Sequence, residues 1–169
     1  MTTHSDAFVK KDRLRFTKNK LSANLALLAI VFNAFYFVSI YKSDVGSYYY
    51  SIIIGISVVY NLLYMLTAFL SSEGVKSYKA GYAYLLIGLG IAQIVRIFIL
   101  PMKARSEIID LGSESLEVMG GKQFLWVCIC LCASAALSIA AGVIGVLKTA
   151  ALASRRAELG KETRGAANE

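Results

Sequence analysis

The sequence contains few of the residues from which catalytic and metal sites are usually built. It has one histidine, three cysteines and one tryptophan in 169 residues, and only 17% of its residues are charged. His4 lies near the N-terminus, far along the chain from Cys128, Cys130 and Cys132. A zinc site needs about four nitrogen, sulfur or carboxylate ligands, and a disulfide framework needs an even number of cysteines at suitable spacings. We therefore expect no cofactor, no metal site and no disulfide framework.

Charged residues are almost entirely missing from four long apolar segments. The segments cover residues 21–40, 50–70, 80–100 and 124–147. Each is near the length of about 20 residues that a helix needs to cross the hydrocarbon core of a bilayer. None shows the alternation of a transmembrane β-strand, and helices satisfy their backbone hydrogen bonds internally. The sequence therefore predicts an all-α membrane protein with four transmembrane helices, and its 57% hydrophobic content excludes an ordinary soluble enzyme.

Lysine and arginine are distributed unevenly between the two sides that four spans define. Thirteen of the eighteen basic residues fall on the side of the termini: six in the N-terminal tail, two between the second and third spans, and five in the C-terminal tail. Basic residues collect on the cytoplasmic side of membrane proteins. The distribution predicts that the tails at residues 1–20 and 148–169 are cytoplasmic. Because the sequence is compact and shows no eukaryotic targeting signal, we expect a multi-pass protein of the bacterial cytoplasmic membrane.

A polybasic segment lies directly before the first span. Each basic side chain near an anionic lipid surface contributes about 1 kcal/mol of attraction. Nucleic acid would attract the same charge, but the membrane is adjacent, so we expect anionic lipids as partners and no nucleic acid. The residues that we assign to this lipid contact are Lys10, Lys11, Arg13, Arg15, Lys18 and Lys20.

The connection at residues 101–123 is the longest between two spans, and it mixes acidic with apolar residues. Ile108, Leu111, Ser115 and Met119 fall roughly on one helical face. We therefore expect a short amphipathic helix that lies on the outer surface and packs against the bundle or a partner. An ordinary solvated connector is an equally weighted alternative.

Few polar side chains lie at membrane depth, and one of them is ionisable. Arg96 lies in the third span, and Gln93 lies about one helical turn before it on the same face. Ionisable groups within spans are costly to bury and are therefore candidates for function. Arg96 either extends to the headgroups with its stem in lipid, pairs with Asp44 in the first outer connection, donates to Asn33, or contributes to a substrate or partner site.

Three asparagines interrupt the first two spans. Asn24 and Asn33 lie in the first span, and Asn61 lies near the middle of the second. An amide within a span usually hydrogen-bonds to a neighbouring helix, a contact worth about 0.6–2 kcal/mol. We expect these side chains to fix how the helices are aligned, with contact to a ligand as the alternative.

The fourth span carries a stripe of small residues. Small side chains at four-residue spacing allow two helix backbones to approach closely. The span can use this face inside its own bundle or against another chain, and the sequence leaves both possibilities open. The face comprises Ser134, Ser138, Gly142, Ala141 and Gly145.

Three classes of function remain compatible with the sequence. The lack of a catalytic cluster and the small-residue face favour a non-catalytic subunit, an accessory or scaffold component of a larger membrane complex such as a transporter. Its partners would be other membrane subunits or further copies of the chain. The alternative is a small oligomeric channel or carrier with a polar path near Gln93 and Arg96, which would favour anions. A membrane-embedded lipid-modifying enzyme is the weakest alternative, because only the acidic residues of the 101–123 connection could supply its chemistry.

Overall fold

Helices make up most of the described chain. The computed structural model describes residues 18–40, 48–106, 108–110, 115–117 and 119–166. In these residues the helices are α1 (Lys20–Ile40), α2 (Tyr48–Lys76), α3 (Ala80–Ile99), α4 (Pro101–Ser106) and α5 (Gly121–Ala166). Two short strands, β1 (Ile108–Asp110) and β2 (Ser115–Glu117), lie between α4 and α5.

Among the described helices, four are long and apolar enough to cross a membrane, as the sequence predicts. These segments are Lys20–Ile40, Gly55–Lys76, Ala80–Ile99 and Gly121–Glu158. Two helices continue past the predicted spans, because no proline interrupts them. α2 runs on from residue 70 to Lys76, and α5 runs on from residue 147 to Ala166. The residues after 147 are rich in alanine, arginine, lysine and glutamate, which favour helix.

Asn19 caps the start of α1 and joins it to the end of α2. Its side-chain Oδ1 accepts a hydrogen bond from the backbone N–H of Ser22 at 3.4 Å, as an N-cap residue does. Its own backbone N–H donates to the carbonyl oxygen of Lys76 at 3.0 Å. α1 and α2 are therefore antiparallel, and we call this end of the bundle the Asn19 end.

A tight turn joins α2 to α3 at the Asn19 end. Tyr78 has a φ of +59°, and the backbone N–H groups of Tyr78 and Lys79 donate to the carbonyl oxygens of Val75 and Gly74. A Cβ atom on Gly74 would overlap the ring of Tyr82. This position therefore requires glycine for the turn to bring α3 close to α2.

Side chains also bond to the backbone at the opposite end of the bundle. Gln123 Nε2 donates to the carbonyl oxygen of Ser39 at 2.8 Å, which joins the start of α5 to the end of α1. Arg105 donates to the carbonyl oxygen of Met119 at 3.3 Å. These contacts hold the connection between α3 and α5 against the bundle, and we call this the Gln123 end.

α5 makes the most extensive contacts of any helix in the bundle. It packs extensively along α3 and α1, whereas it meets α2 at only a few residues. α2 packs mainly on α1 and less extensively on α3. One apolar cluster near the Asn19 end includes Ala26, Leu86 and Ala141, and another near the Gln123 end includes Tyr36 and Leu131.

The connection after α3 differs from the short amphipathic helix that we expected. α4 covers only Pro101–Ser106, and β1 then pairs with β2 in antiparallel register, with Ile109 opposite Leu116. The sequence explains the difference, because Gly112 has low helix propensity and the β-branched residues Ile108 and Ile109 favour strands.

Candidate functional site

Polar side chains from the four long helices meet inside the bundle, between its two apolar clusters. Burial of such groups in a membrane is costly unless they bond to one another, so their partners determine what they do. We call this set the polar layer. It comprises Asn33 on α1, Ser57, Asn61 and Tyr64 on α2, Gln93 and Arg96 on α3, and Ser134 and Ser138 on α5, all of them buried.

Tyr64 and two serines join three helices within the polar layer. The Tyr64 hydroxyl lies 2.9 Å from Ser134 Oγ and 2.8 Å from Ser138 Oγ, and the two serines are one turn apart on α5. Ser134 Oγ donates in turn to the carbonyl oxygen of Ala29 at 2.9 Å. The cluster therefore links α2 to α5, which otherwise pack against each other at few residues, and links both to α1.

The small-residue face of α5 lies inside the bundle. Ser22 Oγ on α1 donates to the carbonyl oxygen of Ala141. A Cβ atom on Gly142 would lie 2.6 Å from the carbonyl oxygen of Ala83 on α3, and the built Cβ of Gly145 lies 2.9 Å from the Ala83 side chain. Of the two uses that the sequence leaves open, the structure shows the face in contact with helices of its own chain.

Gln93 and Asn33 form one hydrogen bond and keep further bonding capacity. Gln93 Nε2 donates to Asn33 Oδ1 at 2.8 Å, whereas Asn33 Nδ2 and Gln93 Oε1 are buried without a hydrogen-bond partner in the structure. If both side-chain amides are flipped, Asn33 becomes the donor and Gln93 the acceptor. One amide N–H group and one amide oxygen are still left without a partner. The centre of the polar layer therefore has an unused donor and an unused acceptor.

Arg96 is turned into the bundle. Its Nη1 donates to Asn61 Oδ1 at 2.6 Å, and its Nη2 donates to Ser57 Oγ at 2.5 Å and to the Ser57 carbonyl oxygen at 3.3 Å. The rings of Tyr36 and Tyr60 lie 4.4 and 4.7 Å from the guanidinium carbon, in cation–π contact. Only 6% of the residue is exposed, so it does not extend along the lipid-facing surface.

The contacts of Arg96 differ from the partners expected from the sequence. Asn33 accepts its hydrogen bond from Gln93, and Asp44 lies outside the described residues. Ser57 and Tyr60 were not predicted from the sequence as neighbours of the arginine. A signal for Ser57 was present, since Ser57, Asn61 and Tyr64 follow one another at helical spacing and so share one face of α2.

The other polar candidates lie away from the polar layer. Asn24 is exposed on α1, so it does not join two helices as we expected of all three asparagines. Lys18 and Lys20 are exposed at the Asn19 end, where they are available for the predicted lipid contact. The remaining members of the polybasic segment lie outside the described residues: Lys10, Lys11, Arg13 and Arg15.

A cavity of about 470 Å³ lies between α2 and α3, beside Arg96. Its walls include Ile56, Val95 and Ile99, each more than half exposed, so the cavity opens on the outer surface of the bundle. Arg96 and Tyr60 also line it. We call it the α2–α3 groove, and it lies between the two neighbouring long helices that pack least extensively against each other.

The described residues offer limited chemistry. They contain no group of three histidine, cysteine, aspartate or glutamate side chains that could hold a metal ion. Cys130 is buried, Cys128 is half-buried and Cys132 is exposed, and all three are unbridged. The polar layer and the groove together supply hydroxyls, amides and a guanidinium, which can donate and accept hydrogen bonds and can attract an anion.

Comparison with known proteins identifies no relative, since no protein-family model, curated protein or solved structure matches this chain. The contacts of the polar layer are therefore the main guide to the function of the chain.

Proposed function

We propose that this protein is a non-catalytic integral membrane subunit, an accessory or scaffold component of a larger membrane complex such as a transporter. The observation that carries the proposal is that the side chains of the polar layer form their hydrogen bonds to one another inside the bundle. Arg96, Gln93 and Asn61 are the described side chains best suited to line a conducting path, and they bond instead to helices of the same chain. Such contacts hold a bundle in one arrangement, which suits a structural subunit.

The C-terminal part of α5 supports the same proposal. The nineteen residues from Lys148 to Ala166 continue the helix past the predicted span, a distance of roughly 28 Å at 1.5 Å per residue. Arg156 and Lys161 are exposed on this extension, and Arg155 pairs with Glu158 at 3.1 Å. Because this basic helix continues rigidly from the bundle, an acidic surface of another subunit can bind along it.

We propose further that the Asn19 end faces the cytoplasm of a bacterial cell. Lys18, Lys20 and Lys76 lie at this end, and the basic extension of α5 continues from it, because Gly145 packs there against Val75. Basic residues concentrate on the cytoplasmic side of membrane proteins. In this orientation both termini are cytoplasmic, and the β1–β2 connection lies outside.

Purification of the native complex in a mild detergent tests the proposed function. We expect the chain to elute with a different membrane protein at a fixed stoichiometry, and chemical cross-links to join the two. A pure homo-oligomer that conducts ions in liposomes, with the flux lost in Arg96→Leu and kept in Asn24→Leu, would overturn the proposal. A monomer with neither partner nor flux contradicts it as well.

An oligomeric channel or carrier is the second candidate function. The observation that favours it is the set of buried polar atoms without a hydrogen-bond partner, which includes Asn33 Nδ2, Asn61 Nδ2 and Gln93 Oε1. Groups of this kind bind water when there is room for it, and a hydrated interior is what a polar path needs. The liposome measurement above distinguishes this candidate from the first.

A further inference from the structure

An apolar line on the outer side of α5 continues past the predicted span. Ala150, Ala153 and Ala157 are exposed on the C-terminal extension, and Val143 and Val146 precede them at the same alternating spacing of three and four residues. This spacing is the a and d pattern of a coiled coil, in which an apolar seam follows a partner helix. We call the three alanines the extension seam, and their small side chains allow a second helix to approach closely.

Basic side chains flank the extension seam on both sides. With Ala150 at an a position, Arg156 occupies the following g position and Lys161 the next e position, and both side chains are exposed. Glu158 lies at a b position away from the seam, where it accepts a hydrogen bond from Arg155 at 3.1 Å. Charges at e and g positions select the partner of a coiled-coil helix, so this seam suits a helix with carboxylates along its edges.

The same charges disfavour a second copy of this chain as the partner. Copies that share one membrane orientation run parallel, and in a parallel pair each g residue meets the e residue of the next heptad on the other helix. Arg156 of each copy would therefore meet Lys161 of the other. Like charges placed together across an interface repel each other and suppress that pairing, so the seam is matched to a different, acidic chain.

Anionic lipid headgroups are too far from the end of the seam to supply this acidic partner. Lys161 lies fourteen residues past the end of the predicted span at residue 147, which is roughly 21 Å of helix. The headgroup layer on each side of a bilayer is only about 5–8 Å thick, and salt screens exposed charges beyond about 8 Å. The acidic groups opposite Lys161 must therefore come from a protein.

We propose that the extension seam binds an acidic helix of a different membrane subunit, one that leaves the bilayer beside α5 and continues along it. Apolar side chains of this helix pack on the seam, and its carboxylates accept hydrogen bonds from Arg156 and Lys161. The contact begins within the membrane, because the same spacing includes Val143, which is 43% exposed. The inference rests on the proposed accessory function and names the surface through which the subunit is held.

Photo-cross-linking of the full chain in native membranes tests the seam. A small diazirine side chain replaces either Ala153 or Ala151, which is exposed on a different face of the extension. We expect irradiation to join the Ala153 position to one other membrane protein at least tenfold more efficiently than the Ala151 position. Peptide mapping should place the link in a segment directly after a transmembrane span, with aspartate or glutamate beside it.

Two adjacent arginines provide a matched control for charge. Arg156 lies beside the seam at a g position, whereas Arg155 lies at an f position on the opposite side of the helix. Arg156→Glu should lower the cross-link from the Ala153 position at least fivefold, and Arg155→Glu should change it by less than twofold. Lysine in place of the mapped carboxylate of the other subunit should restore the cross-link in Arg156→Glu.

The outcomes separate the seam from the proposed function. If the native complex contains a different subunit but the Ala153 position does not cross-link to it, the seam is wrong and the accessory function stands. If no different subunit is found, both are wrong. A cross-link from the Ala153 position to a second copy, to lipid or to nucleic acid overturns the seam, as does equal linking from Ala151. That comparison decides even if Arg156→Glu lowers the thermal unfolding midpoint.

Discussion

Asn61 and Asn24 occupy similar apolar stretches of sequence but have opposite surroundings in the bundle. Asn61 is buried on α2 and accepts a hydrogen bond from Arg96. Asn24 is exposed on α1, since the buried face of that helix passes through Ala26 and Asn33. The rotation of each helix about its axis, rather than the residue type, decides whether the amide contributes to stability.

The two asparagines make a matched stability test. Asn61→Leu removes the acceptor of Arg96 Nη1. It should lower the free energy of unfolding by about 1–3 kcal/mol, because that is the cost of leaving a buried donor without a partner. Asn24→Leu should change it by less than about 0.5 kcal/mol, as exposed substitutions usually do. Reversible denaturation of the purified protein in detergent measures both, and equal effects would contradict the burial assigned to them.

Tyr64 allows a second test at the scale of single atoms. Tyr64→Phe removes only the hydroxyl that lies between Ser134 and Ser138. The expected loss is about 0.6–1.7 kcal/mol, from the average to the largest value measured for hydrogen bonds between helices in a membrane protein. Tyr84 is 61% exposed, so Tyr84→Phe should have no measurable effect in the same denaturation experiment. A Tyr64→Phe protein as stable as the wild type would show that the two serines do not need this partner.

At the scale of helices, α3 and α5 fit together through reciprocal glycines. A Cβ atom on Gly90 of α3 would lie 2.5 Å from Ile139 Cγ1 of α5, and one on Gly142 of α5 would lie 2.6 Å from Ile87 Cγ1 of α3. On each helix, a glycine therefore leaves the space that an isoleucine side chain of the other helix occupies. Such close approach increases van der Waals contact, which drives helix association where lipid is as apolar as the side chains.

Adding a single methyl group tests this contact. Gly142→Ala forces α3 and α5 apart and should destabilise the bundle by about 1–3 kcal/mol, the usual cost of overpacking. Gly88 lies on α3, and no atom lies within 4 Å of a Cβ built on it. Gly88→Ala should therefore be neutral, or stabilise the helix by up to about 1 kcal/mol. Thermal unfolding followed by circular dichroism distinguishes the two, and a neutral Gly142→Ala would refute the close packing.

The sequence predicts the helices better than it predicts their neighbours. Apolar runs with almost no charged residues mark all four long helices, and the spacing of Ser134, Ser138 and Gly142 marks one packed face. The sequence does not reveal which helix covers that face, because membrane helices are apolar on all sides and their hydropathy does not indicate their rotation. Ser57 and Tyr60 were missed as neighbours of Arg96 for the same reason, since contact between α2 and α3 depends on a turn geometry that hydropathy does not report.

At the scale of the whole molecule, the described basic residues outside the bundle concentrate at and beyond the Asn19 end. Lys18, Lys20, Lys76 and Lys79 lie there, together with the extension of α5. Anionic lipid headgroups on the cytoplasmic leaflet attract such a surface. The proposed orientation therefore makes a prediction about which loops can be reached by water-soluble reagents from each side.

Cysteine accessibility in intact cells measures that orientation. In a background with the three native cysteines changed to alanine, Ser113→Cys lies between β1 and β2 in the sequence and should react with an impermeant thiol reagent added outside. Ser154→Cys is exposed on the extension of α5, and it should react only after the cells are permeabilised. Labelling in the reverse order would invert the proposed topology.

Because α5 packs along both α1 and α3, the bundle is completed only after α5 has been synthesised. α5 leaves the ribosome after the other three long helices, roughly 2–8 s after α3 if about forty residues follow at 5–20 residues per second. Until then, Tyr64, Ser22 and Gly90 lack the helix that they contact. The bonds of Arg96 to Asn61 and of Gln93 to Asn33 need only the first three helices. These contacts can therefore hold α1, α2 and α3 together in the membrane while the helix that completes their packing is still being made.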